Sequence, residues 1–214
     1  MVDAIQKTKK TKKKLEIIDV PADGNCFYYA IYGIISEAIH LPPPRSPTHA
    51  VRQVRKFVAH RLETDPASQM YISNTCEIFN TNPDPSIRYL LKETNPFINN
   101  YPRICRAPQM VRIAKVAKAI RVSRGRRVMW ASQLEQSILA ASALAASITV
   151  ITLSKTPNLF KDLERALKNV KTQRIGILVN DNNIHFQYMK YNNEPIMNTR
   201  DIRRKIKSRV DDSR

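Results

Sequence analysis

Leu15-Glu16-Ile17-Ile18-Asp19-Val20, then Ala22-Asp23-Gly24-Asn25-Cys26-Phe27-Tyr28-Tyr29, then Ala30-Ile31-Tyr32-Gly33-Ile34-Ile35 read as a strand, a tight turn and a helix. A cysteine that opens a helix faces unsatisfied backbone N–H groups and the positive end of the helix dipole, surroundings that suit a nucleophilic thiolate. Gly24 allows a turn conformation closed to other residues and lets a substrate backbone approach the thiol. The alternative for the same residues is a packed structural cysteine in a strand-to-helix connection.

Working outward, residues 48–63 read as a helix. Val51, Val54, Val58 and Leu62 recur at helical spacing among Arg52, Arg55, Lys56 and Arg61, with Thr48 as N-cap. Prolines at 83, 85, 96 and 102 punctuate the next stretch into two short helices and loops. Ser132-Gln133-Leu134-Glu135 begins a further helix with a capping box. Residues 148–153 and 175–179 are β-branched and apolar, hence strands; a third strand covers 184–189, and a helix fills 159–170. Helices in the middle and strands toward the end predict an α/β domain, a small central sheet flanked by helices. The expected organisation is a disordered lysine-rich arm over 1–14, a catalytic domain over 15–192, and a charged C-terminal segment over 193–214 that includes an exposed basic helix.

The chain has 214 residues and a formal net charge of +18. That length supports one sizeable core. Part of the charge lies in Lys7, Lys9, Lys10, Lys12, Lys13 and Lys14, a nuclear address, a loose nucleic-acid contact or a solubilising leader. More lies between 94 and 134, where no acid occurs and Arg112, Lys115, Lys118 and Arg121 recur every three residues as the basic edge of a helix. Three cysteines, with Cys76 and Cys105 far apart in sequence, do not look like a disulfide framework, and no zinc spacing is present. The expected setting is therefore reducing, cytoplasmic or nuclear. No run is long and apolar enough to span a membrane, and no secretory signal is expected.

A nucleophilic cysteine needs a base. His40, His49 and His60 fall beside a proline loop or in a charged helix, whereas His185 opens a strand among Ile184, Phe186, Tyr188 and Met189. A histidine fixed on a sheet is the better-positioned base. Asp23-Gly24-Asn25-Cys26-Phe27 with Tyr28 resembles the nucleophile motif of ovarian-tumour-domain (OTU) cysteine proteases, which are deubiquitinases. Trp130-Ala131-Ser132-Gln133-Leu134-Glu135 and Ile184-His185-Phe186 resemble two further motifs of that family, in its order, so the resemblance spans residues 15 to 191.

The resemblance implies a papain-like α/β fold and no cofactor or metal. It makes Cys26 the nucleophile, His185 the base, Asp23 the shaper of the oxyanion loop, and Trp130 a neighbour of the histidine. The family often places Asp or Asn two residues after the histidine to orient its ring. This chain has Gln187 there, with Asp181 and Asn183 as the other candidates, and the three stay open.

The implied partner is ubiquitin, polyubiquitin or a ubiquitin-like modifier cleaved after its Gly-Gly end. Glu16, Asp19, Glu93 and Glu135 are candidate acidic groups for its arginine-bearing tail. The small size and basic ends fit a viral member acting in a host cell. Two other classes compete: a basic nucleic-acid-binding protein, whose binding would weaken with salt, and a non-catalytic ubiquitin-binding module on the same fold.

Overall fold

The computed structural model of the protein describes residues 14–100, 103–122, 131–182 and 185–211. Most of the lysine arm, Trp130, Asn183 and the cluster Arg124, Arg126 and Arg127 lie outside the described residues. One mixed sheet contains β1 (Leu15–Ile18), β2 (Ile148–Ser154), β3 (Arg174–Asp181), β4 (His185–Tyr191) and β5 (Ile196–Asn198). Its order is β1-β4-β3-β2, with β5 also on β3. The nine α-helices among the described residues are α1 (Cys26–Ile35), α2 (Pro47–Thr64), α3 (Pro66–Thr81), α4 (Pro85–Thr94), α5 (Pro96–Asn100), α6 (Gln109–Val122), α7 (Gln133–Ala145), α8 (Leu159–Lys168) and α9 (Thr199–Asp211). The α/β class expected from the sequence is present, and no helix among the described residues is long and apolar enough to cross a membrane.

β2 and β3 are parallel and joined through α8, since parallel neighbours need a crossover. β3 and β4 are antiparallel, with Asp181 opposite His185, and β1 adds to the other edge of β4 with Ile18 opposite Tyr188. Alternation along β3 divides the core. Ile175, Ile177 and Val179 pack with Leu163 and Leu167 of α8 and with Ile202 and Ile206 of α9. Leu178 belongs to the opposite layer, built on α1 and the other helices. The C-terminal helix is thus only partly exposed: its basic residues surround two buried isoleucines, and β5 just before it is part of the sheet.

The prolines mark helix starts where the sequence suggested loops. Pro47, Pro66 and Pro85 each occupy the first turn, behind Ser46, Asp65 and Asp84, whose side chains accept from His49 N, Ser68 N and Ser86 N. Proline's fixed φ and missing N–H suit that position. So Ser46, not Thr48, caps α2, and three helices rather than two fill residues 66–100.

The cysteine expectation is corrected as well. Cys76 in the second half of α3 and Cys105 in the short 3-10 turn Ile104–Arg106 form a disulfide, with a Cα–Cα distance of 4.7 Å. Their sequence separation of 29 says nothing about distance, because α4 and α5 fold back and return the chain to α3.

Candidate functional site

The turn before α1 is held from several sides. Gly24 has φ of 81°, the left-handed region that favours glycine. Asp23 Oδ1 accepts from Asn25 N at 3.0 Å, and Asp23 Oδ2 accepts from Tyr29 OH at 3.0 Å, which ties the turn to the first helical turn. Asn25 is the N-cap residue, but its side chain does not cap α1. Its Oδ1 accepts instead from Arg55 Nη2 at 3.0 Å. Cys26 opens α1 there, 3% exposed and outside the disulfide.

Arg55, one of the basic residues among the apolar positions of α2, is 2% exposed. Its guanidinium lies 3.9 Å from the centre of the Tyr28 ring, a stacked arrangement that offsets part of the cost of burying a cation. Tyr28 OH donates to Glu135 Oε1 at 3.2 Å, and Glu135 Oε2 accepts from Ser132 N at 2.9 Å and from Ser132 Oγ. The expected capping box of α7 is therefore present, and its carboxylate is fully engaged. Glu135 is buried behind α1, so it is not among the acids available to a cleft. Burial pushes its carboxyl upward, while the Ser132 donors and the charge of Arg55 pull the other way; burial also raises the Tyr28 hydroxyl well above its usual range.

His185 begins β4, and its partner is Asp19. The ring Nε2 lies 2.7 Å from Asp19 Oδ1, and the same oxygen accepts from Gln187 Nε2 at 3.0 Å. Asp19 directly follows β1, and continuing the Ile18–Tyr188 register sets it across from Gln187. Of the three expected orienting residues, Gln187 reaches the carboxylate rather than the ring, and Asp181 is paired with Lys155 Nζ at 2.8 Å. Asn183 lies outside the described residues. The hydrogen bond from His185, more than any other influence, holds the Asp19 carboxyl below its usual range. The Asp19 side chain is 75% exposed and that of His185 19%. The other ring nitrogen, Nδ1, is buried and has no hydrogen-bond partner among the described residues.

Aromatic packing brings the two halves of the site together. The Phe27 and Phe186 rings meet edge to face at a centroid distance of 5.2 Å. Cys26 and His185 are the chain neighbours of these two rings, so the start of α1 and the start of β4 are adjacent. Gly33 lets the Tyr188 ring lie against α1: a Cβ there would fall 2.8 Å from Tyr188 Cζ.

The arrangement comprises a thiol at a helix start, an imidazole held by a carboxylate on one nitrogen, and the other nitrogen buried with no hydrogen-bond partner among the described residues. Those are the parts of a nucleophile–base–orienter set. The sequence reading missed Arg55, and it offered Asp19 as an acid for the substrate tail rather than as the partner of His185. Arg55 did carry a signal, because it falls on the stripe of Val51, Val58 and Leu62 at helical spacing. Asp19 carried one too, as the residue leaving a strand that pairs with the histidine strand. No protein-family model, curated protein or solved structure matches the chain.

Proposed function

We propose that the chain is a cysteine peptidase, and within that class a deubiquitinase of the ovarian-tumour type, with a papain-like fold. The observation that carries this reading is the Asp19–His185 pair beside the Phe27–Phe186 contact, at the helix start that bears Cys26. Asp19 engages Nε2, which leaves Nδ1 as the nitrogen to take the thiol proton in this reading. Cys26 Sγ then attacks the carbonyl carbon of the isopeptide bond, and the carbonyl electron pair moves to oxygen. The N–H groups of the turn shaped by Asp23 and Gly24, with that of Cys26, receive this oxyanion. Such donors contribute about 3 kcal/mol to barrier lowering. Collapse breaks the carbon–nitrogen bond, and the imidazolium returns its proton to the departing lysine amine. Water, deprotonated by the same histidine, releases the acyl group from sulfur.

The resemblance of Asp23-Gly24-Asn25-Cys26-Phe27 and Ile184-His185-Phe186 to the family supplies the substrate, the Gly-Gly end of ubiquitin or a ubiquitin-like modifier. The test is a ubiquitin probe with a C-terminal thiol-reactive group, run beside Cys26→Ala. A covalent adduct with the native chain and none with the variant is expected. Native chain that stays unlabelled by this probe and by probes of other modifiers overturns the reading.

A further inference from the structure

The two basic regions seen in the sequence have different fates in the fold. On α6, Arg112 donates to the carbonyls of Cys105 and Ala107, and Arg121 pairs with Glu63. That leaves Lys115 and Lys118 of the expected basic edge exposed and outside any ion pair among the described residues. α9 is the reverse. Its apolar residues Ile202 and Ile206 are buried against α8, and Arg200, Arg204 and Lys207 face solvent.

Between the start of α9 and the segment linking α8 to β3 runs a groove of about 490 Å³, lined by Lys171, Arg200, Arg203 and Arg204, with Asp201 as the acidic group. Arg203 donates to Leu167 O at 2.6 Å. Lys171, Arg200, Arg204 and Lys207 take part in no ion pair among the described residues. Cations gathered along a concave wall focus a positive field outward and repel one another until an anion arrives.

We propose that this groove and the exposed face of α9 bind the phosphate backbone of duplex nucleic acid. No aromatic side chain lines the groove, so it lacks the stacking platform that single strands use. A membrane surface fits less well: Ile87, Tyr89, Leu90 and Met110, the kind of exposed apolar residues that insert into lipid, lie on α4 and α6, and among the described residues none lies on α8 or α9. The groove lies at the Arg174 end of β3, whereas His185 stands opposite Asp181 at the other end. Seven residues of strand separate the two, about 23 Å. Nucleic acid and a protein substrate therefore engage opposite ends of the sheet, and this proposal stands or falls without Cys26.

The test uses the full chain and a fluorescent duplex of about 20 base pairs, titrated across salt. About four phosphate contacts predict that affinity falls about 100-fold between 50 and 200 mM salt. Arg200→Glu with Arg204→Glu should weaken binding at least about 10-fold and flatten the salt slope by about 2. Lys115→Glu with Lys118→Glu changes the net charge equally and should alter affinity less than about 2-fold. Equal losses in both pairs would assign binding to bulk charge or the lysine arm and overturn the proposal. Binding to anionic vesicles in place of the duplex, or no duplex binding at 50 mM salt, would overturn it too. Circular dichroism checks folding; should the reversed pair unfold, Arg200→Gln with Arg204→Gln decides by the same comparison, at a loss of at least about 3-fold.

Discussion

Asp19 accepts hydrogen bonds from both His185 and Gln187 on one oxygen, so a single carboxylate sets the ring orientation in the proposed mechanism. Its folded-state pKa is depressed, so the contact is intact above the ordinary carboxylate value and is lost as pH falls through the folded one. It therefore persists through neutral pH. Asp19→Asn removes the charge that stabilises imidazolium and should lower kcat/KM for a ubiquitin substrate by about 10²-fold or more, chiefly in kcat. An unchanged rate would return the orienting role to another residue. Arg55→Gln withdraws the donor to Asn25 and leaves Glu135 buried without its nearby cation. A stability loss of about 3–5 kcal/mol in urea unfolding is expected, together with faster alkylation of Cys26 as the turn loosens. Cys26 and His185 could be singled out as candidates from the sequence because each sits in a local motif. Asp19 was not legible in this role, because its partner is 166 positions away and is set by strand register. The burial of Arg55 was not legible, because a charged residue in a helix tells nothing of what lies opposite until the helix is packed.

Two glycines govern the contact between α1 and the sheet. A Cβ at Gly176 would fall 2.1 Å from Ile34 Cγ2, inside a side chain that is itself buried, while one at Gly33 would meet the outer end of the half-buried Tyr188 ring. Gly176→Ala should therefore destabilise by about 1–3 kcal/mol, and Gly33→Ala by less because the ring can swing aside, as thermal unfolding would show. β1 to β4 were readable from short apolar runs and α7 from its capping box, whereas the three-residue β5 was not expected. Helix starts after α1 were harder to read, since proline serves both as a loop residue and as the first residue of a helix. Only the cap behind it, Ser46, Asp65 or Asp84, separates the two.

Across the whole molecule, the sheet joins residues near both ends of the described chain, with α8 and α9 on one face and α1 and the other helices on the opposite one. A sheet flanked by helices followed from element order. The pairing of Cys76 with Cys105 did not, because it depends on α4 and α5 returning the chain to α3. Titration of the denatured, unreduced protein should find one thiol, Cys26, and three after reduction. Closing a loop of this length contributes about 3–4 kcal/mol through the entropy of the unfolded chain, so reduction should lower the unfolding midpoint. The bond has a second effect on α4, which lies within the closed loop and contributes no buried residue of its own. A helix with so little grip would ordinarily be a place where the fold begins to come apart. Here both ends of the segment are fastened, so any opening of α4 is expected to stay within the loop that the bond closes.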